Sequence, residues 1–159
     1  MVKAIFGTVR GSDERYVMSD KFSNSRAVAD GKVQSYRDLL VWQKSVKLAK
    51  AIYRITLKFP SEEKFGLVSQ MRRAAVSVPS NIAEGQARNT TGEFVQFISQ
   101  AEGSIAELDT QMVLVLEFGF VSPEEAKACS DSIEELRRML NGLRRAVTGQ
   151  KKPMTQHMQ

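Results

Sequence analysis

The chain has 159 residues and a mass of 17.8 kDa, which suits one domain of ordinary size with short extensions. Hydrophobic residues make up 42% and charged residues 26%, a composition too apolar for an intrinsically disordered chain. The single cysteine, Cys129, excludes an internal disulfide, and the single histidine, His157, lies near the end of the chain, so most metal and acid–base chemistry is excluded.

The net charge of +5 and the pI near 9.5 permit an anionic partner without requiring one. No apolar run reaches the roughly 18 residues that span a bilayer, and the first residues lack the pattern of a signal peptide. We therefore expect a cytoplasmic protein with no membrane contact.

The two ends of the chain differ from its middle. Residues 1–34 contain scattered glycines, serines and charges without a period of 3.6 or 2, which predicts a flexible extension. Residues 149–159 include Lys151, Lys152 and Pro153 and predict a disordered tail. Residues 35–148 have a helical pattern throughout and are predicted to form the folded domain.

The first predicted helix spans about 36 to 58, with Ser35 as its N-cap and Pro60 as its stop. Five side chains spaced four and three residues apart predict a stripe that faces the core, and five further apolar side chains widen this stripe. The first set is Trp42, Val46, Ala49, Tyr53 and Thr56, and the second is Val41, Leu48, Ile52, Ile55 and Phe59.

The second predicted helix begins near Ser61, with acidic residues in its first turn. Pro79 lies inside it and is predicted to remove one backbone hydrogen bond and to kink or break the helix near Ala75. Small residues follow on both sides of Pro79, and they allow another helix to approach closely. Packing within the bundle explains them most simply.

The third and fourth predicted helices have the clearest boundaries. Thr90 and Glu93 match the Ser/Thr-x-x-Glu capping box, and the heptad that follows ends at Gly119, which is predicted to adopt the left-handed conformation. Residues 122–125 combine a serine N-cap, a proline and a third-position glutamate, and the fourth helix ends at Gly149. Four helices with short connectors predict an all-α, antiparallel up-down-up-down four-helix bundle with a kinked second helix.

The predicted helices contain no histidine, which excludes a di-iron bundle, a phosphorelay bundle and the helical ribonucleases that need one. Glycine loops for phosphates or dinucleotides and the nucleophile elbow are also missing. Cys129 lies on the apolar seam of the fourth helix, which predicts a buried, inert thiol. We therefore expect no enzymatic activity, no catalytic residue, no metal and no cofactor.

The first predicted helix carries six basic residues and one acidic residue, whereas the third carries five acidic residues and no basic one. A basic face of this kind can follow a phosphate backbone. The candidate nucleic-acid contacts are Lys44, Lys47, Lys50, Arg54, Lys58, Arg72 and Arg73. In the alternative interpretation, the basic face pairs with the acidic third helix, within the chain or on a neighbouring copy. The charges alone do not distinguish contact with nucleic acid from pairing with the acidic third helix.

Six blocks of the sequence resemble a known protein family. They lie at residues 36–44, 52–53, 59–60, 65–85, 93–94 and 101–111. They resemble the four-helix-bundle proteins encoded in intervening sequences of bacterial 23S ribosomal RNA genes. The resemblance implies an up-down bundle that assembles as a ring, commonly a pentamer, without known catalytic activity. Related accessory variability determinants of diversity-generating retroelements form similar basic barrels that bind nucleic acid and a reverse transcriptase.

Five residues are predicted to contact a neighbouring subunit because they lie beyond the heptad seam or near Pro79. They are Leu39, Pro79, Val113, Leu116 and Phe120. A head-to-tail ring would place the basic first helix against the acidic third, so we hypothesise that charge complementarity drives ring closure. The sequence favours a non-enzymatic, homo-oligomeric scaffold or adaptor, predicted to be a pentamer, that contacts RNA or DNA. The alternative is a protein-interaction module, antitoxin-like or an adaptor, without nucleic-acid binding.

Overall fold

A computed structural model describes residues 35–149, and all regular elements within them are helical. The flexible extension predicted for 1–34 and the tail predicted after Gly149 lie outside the described residues. The four α-helices are α1 (Leu40–Ile55), α2 (Leu67–Gln86), α3 (Thr91–Glu117) and α4 (Pro123–Thr148). Both α1 and α3 pack against α2 and α4, so α1 and α3 occupy one diagonal of the bundle. The predicted all-α four-helix bundle is confirmed.

The first helix is shorter than the predicted span of 36–58. Ser35 caps a 3-10 turn, Tyr36–Asp38, and the Asp38 carboxylate accepts a hydrogen bond from the Ser35 N–H at 2.9 Å. Leu39 then adopts extended backbone, with φ −73° and ψ 117°, so that α1 begins only at Leu40. A second 3-10 turn follows α1, and Phe59 is extended because a residue that precedes a proline disfavours the helical conformation.

The buried seam of α1 consists mainly of the residues predicted to widen the stripe. Trp42 and Tyr53, which were predicted to lead it, are only partly buried. The reason is that the stripe points between α2 and α4, which leaves these two aromatic rings at its border. The buried residues of α1 are Val41, Ser45, Leu48, Ile52 and Ile55.

The second helix begins six residues later than predicted. The segment Ser61–Lys64 forms a 3-10 turn, and the Glu63 carboxylate accepts a hydrogen bond from the Leu67 N–H at 3.1 Å, in the first turn of α2. From Leu67 the helix continues without a break through Pro79. The predicted break near Ala75 is therefore wrong, and the alternative kink stays a prediction.

Gly85 is where α2 and α3 approach most closely among the glycines of the described residues. A Cβ atom added there would lie 2.6 Å from Phe97 Cβ and 2.7 Å from Phe94 Cδ2. Ala74 and Ala75 are also buried in the core. Packing within the bundle, the simpler interpretation of these small residues, is confirmed at these three positions.

The predicted ends of α3 and α4 are confirmed by their hydrogen bonds. The Thr90 hydroxyl accepts from the Glu93 N–H at 3.2 Å. Gly119 has φ +72°, and the N–H groups of Gly119 and Phe120 donate to the carbonyls of Leu116 and Val115, which forms a Schellman motif. Ser122 and Glu125 cap α4 reciprocally, and Gly149 ends it with φ +69°.

Candidate nucleic-acid interface

Three cations lie on the outward face of α1. Lys47, Lys50 and Arg54 are three and four residues apart, which places them on one side of the helix. Lys47 and Arg54 are exposed, and Lys50 is partly exposed. None of the three forms an ion pair with another residue of the 35–149 segment. Their charge is therefore available to an external anion.

Two other predicted contacts, Lys44 and Lys58, point towards α4 instead. Lys44 forms an ion pair with Glu135, and Lys58 Nζ lies 2.5 Å from Glu125 Oε1. The Lys58 hydrogen bond, together with the Ser122 N–H, lowers the pKa of the Glu125 carboxyl. The basic helix thus pairs with α4 rather than with the acidic α3, because α3 lies on the opposite corner of the bundle.

Arg72 joins α2 to α1 beside the outward cations. Its guanidinium carbon lies 4.7 Å from the centroid of the Tyr53 ring, and its Nε donates a hydrogen bond to Thr56 Oγ1 at 2.9 Å. Tyr53 shares a helical face with Lys50, three residues earlier. The contacts of Arg72 therefore connect the side of α1 that carries the three outward cations to α2, where Arg73 is exposed.

A groove of about 660 Å³ runs along the outer side of α2. Phe65 forms part of its wall and is 88% exposed, and Lys64 Nζ lies 5.5 Å from the centroid of the Phe65 ring. The lining includes three cations, two aromatic rings and no carboxylate. The lining residues are Tyr53, Lys64, Phe65, Val68, Ser69, Arg72, Arg73, Val76 and Ser77.

Sequence reasoning included Arg72 and Arg73 in the candidate site but missed Lys64, Phe65 and Tyr53. Tyr53 was assigned to the core stripe. The sequence could have indicated that Phe65 is exposed, because this residue lies between a lysine and a glycine and falls outside the apolar period of α2. We name the surface formed by Lys47, Lys50 and Arg54 together with the groove the basic face.

Five acidic residues lie on α3, which is diagonally opposite α1 and packs against α2 and α4. Glu102 forms an ion pair with Arg144 of α4. Glu107, Asp109 and Glu117 are exposed and form no ion pair with any residue that the structure describes. The α3 helix therefore presents a separate negative surface.

The five predicted subunit contacts do not form one patch. Val113 and Leu116 lie near the end of α3 and are 58% and 37% exposed. Leu39 and Phe120 are partly buried against the core at opposite ends of the bundle, and the Phe120 ring centroid lies 5.4 Å from that of Phe59. Pro79 is partly buried on α2. Leu114 and Phe118 join Val113 and Leu116 as exposed apolar side chains, and we name these four the apolar strip.

Cys129 is buried, as predicted, and burial raises the pKa of its thiol, with the nearby Glu125 charge adding to the effect. Between residues 35 and 149, no group of histidine, cysteine and carboxylate side chains is arranged to hold a metal ion. None of the helices in the same segment is long and apolar enough to span a bilayer.

These observations define a small four-helix bundle with exposed charged and apolar surfaces. The family model of the 23S rRNA-intervening sequence protein matches residues 37–142, and the chain belongs to this family, as its sequence blocks suggested. A similar solved structure is a protein of unknown function from the S23 ribosomal protein family of Bacteroides thetaiotaomicron. It has a TM-score of 0.62 and 20% identity, over 66% of this chain and 95% of that chain, and this likeness shows the fold. No curated protein matches the chain.

Proposed function

We propose that this protein is a non-enzymatic, homo-oligomeric scaffold that binds RNA or DNA on its basic face. The observation that carries the proposal is the presence of six cations on one surface, none of which is neutralised by a carboxylate within residues 35–149. They are Lys47, Lys50, Arg54, Lys64, Arg72 and Arg73. Counterion release makes such a surface bind phosphates with a strong dependence on salt.

The test is the salt dependence of binding to an RNA oligonucleotide. Changing Lys47, Lys50 and Arg54 together to glutamine should reduce the slope of log K against log salt by about two to three units, because each phosphate that is no longer neutralised accounts for roughly 0.7 to 0.9 unit. The control changes three exposed α4 cations, Lys127, Arg137 and Arg138, to glutamine; they form ion pairs with acids of α4, so the control removes the same formal charge from paired positions. An unchanged slope in the α1 variant would exclude α1 from the site, and an equal reduction in both variants would attribute the slope to net charge alone.

We further propose assembly into a ring of five chains, each of 17.8 kDa, as the family resemblance implies. The apolar strip on α3 supports self-association, because exposed apolar patches often mark interfaces. Light scattering of the full chain should give about five times the mass of one chain. Changing Val113 and Leu116 to glutamate should dissociate the ring, and a wild-type monomer would contradict the proposal.

The hypothesis of charge-driven closure is tested with the same glutamine variant of α1. If Lys47, Lys50 and Arg54 meet the exposed acids of α3 on the next subunit, they are not available to phosphates, so that variant loses its oligomeric mass while the salt dependence of RNA binding stays unchanged. If it keeps the native mass, the ring is closed by other contacts.

The proposal of a non-enzymatic role is supported by the burial of the Cys129 thiol, which raises its pKa. RNA incubated with the protein should be recovered at full length on a denaturing gel. A protein-interaction module is the second candidate, and the apolar strip on the acidic α3 favours it. Binding to a protein partner through this strip should change little with salt, in contrast to binding on the basic face.

A further inference from the structure

We propose that the groove on α2 binds single-stranded nucleic acid by stacking one base on Phe65. This inference rests on the nucleic-acid binding proposed above and names the form of nucleic acid that the basic face selects. It depends on three features of the groove: an exposed aromatic ring, a fixed backbone beneath that ring, and three cations among the lining residues.

Phe65 is the most exposed large apolar side chain in the segment that the structure describes, at 88%. Aromatic side chains in this state serve as stacking platforms for bases, because every base has a π face. The Lys64 ammonium lies over the ring, 5.5 Å from its centroid, which is a cation–π distance, and its positive charge attracts the phosphates of a strand that binds there.

The backbone on both sides of Phe65 is held in place. The Gly66 N–H donates to the Glu63 carbonyl at 3.0 Å, and the Glu63 carboxylate accepts from the Leu67 N–H at 3.1 Å. The platform is therefore ordered before any ligand arrives, which reduces the entropy lost on binding.

Arg72 supplies a second planar surface in the same groove. Its guanidinium lies over Tyr53 at 4.7 Å and is fixed by the Nε hydrogen bond to Thr56. Its Nη groups form no hydrogen bond with any residue between 35 and 149. Arginine planes stack on unpaired bases and donate to phosphates, so Arg72 can contact the next nucleotide while Arg73 meets the backbone.

A duplex cannot use this groove fully, because its base faces are already stacked inside the helix. The volume of about 660 Å³ falls in the range of pockets that enclose a small ligand, which gives room for an extruded nucleotide. The apolar strip is a different kind of surface, since it lies at the end of α3, which carries Glu107, Asp109 and Glu117, and their charges repel phosphates. Nucleic acid is therefore the occupant that fits the groove.

The experiment compares two oligonucleotides of equal charge on the full chain. One is a fluorescein-labelled strand of 12 deoxythymidines, and the other is an abasic strand with the same backbone. Phe65→Ala should weaken binding of the thymidine strand about 5- to 150-fold, the measured range for loss of one base stack. It should leave binding of the abasic strand unchanged, and Phe65→Trp should retain the wild-type affinity.

Leu40→Ala is the control, since it removes a large apolar side chain that is 57% exposed at the start of α1, outside both the groove and the apolar strip, and should affect neither strand. Because the Phe65 and Leu40 side chains are both exposed, the variants should keep the wild-type unfolding midpoint. If Phe65→Ala binds the thymidine strand as wild type does, or if wild type binds the abasic strand equally well, the stacking inference is wrong while electrostatic binding stands. If wild type binds neither strand at low salt, the proposed nucleic-acid function fails as well. Binding of a protein at the groove in that case would assign it to a protein partner.

Discussion

Replacement of Gly85 by alanine tests the close approach of α2 and α3. The new Cβ would lie 2.6 Å from Phe97 Cβ and 2.7 Å from Phe94 Cδ2. The Phe94 ring can turn away, but Phe97 Cβ is bonded to the α3 backbone, so relief of the clash requires the helix itself to move. The substitution should therefore destabilise the fold even though alanine is the better helix former.

Two opposing effects determine how much Gly85→Ala changes the free energy of unfolding. Overpacking a filled core costs about 1–3 kcal/mol, while exchange of glycine for alanine within a helix gains about 0.5–1 kcal/mol. Gly103 on α3 isolates the second effect, because a Cβ there would meet no atom within 4 Å. Gly103→Ala should raise the free energy of unfolding by about 0.5–1 kcal/mol. The free energy of unfolding of Gly85→Ala should lie about 1–3 kcal/mol below that of Gly103→Ala.

The assay is urea unfolding of the full chain followed by far-ultraviolet circular dichroism. All variants are compared at one protein concentration, because the apparent stability of any protein that assembles depends on its concentration. Equal m-values confirm that the difference is one of stability. If Gly85→Ala is as stable as Gly103→Ala, α2 and α3 do not approach each other this closely, and the argument from Gly85 is refuted.

Two further predictions concern α4. Because Lys58 and the Ser122 N–H lower the pKa of Glu125 in the folded state, the unfolded chain binds this proton more readily. The stabilisation is present above the ordinary glutamate pKa and is lost as the pH falls below about 4. In Glu125→Gln, the free energy of unfolding should therefore decrease less between pH 6 and pH 3 than in the wild type, which unfolding curves over this pH range would measure. Glu124→Gln is the control. If Glu125→Gln has the same pH profile as the wild type, the assignment to Glu125 is wrong. Cys129 should react with a thiol reagent only at the rate of unfolding, since its thiol is buried and its pKa is raised. Rapid labelling of the native protein would contradict its burial.

Local signals in the sequence were sufficient for much of the bundle. The caps at Thr90 and Ser122 and the left-handed glycines at 119 and 149 depend on hydrogen bonds within one turn, so residue type and spacing specify them. The heptad seam of α3 was predictable for the same kind of reason: a regular period of apolar residues has to face the core.

The start of α1 shows where local signals mislead. Ser35 and Asp38 form a capping box as predicted, but the box closes a 3-10 turn. The helix begins after Leu39, whose side chain is partly buried against the core. Contacts made by distant parts of the chain thus override a local start signal, because burial of an apolar side chain outweighs the gain from extending a helix by one turn.

The sequence by itself determined the helix class, the number of helices, the ends of α3 and α4 and the presence of a basic and an acidic helix. Only the tertiary structure decided which cations are neutralised. Lys44 and Lys58 meet carboxylates of α4, whereas Lys47, Lys50 and Arg54 meet none in the described chain. It also placed Phe65 beside Arg72 and Arg73 in one groove. The physical reason is that caps and periodicity act within a few residues, whereas ion pairing and grooves depend on which helices become neighbours.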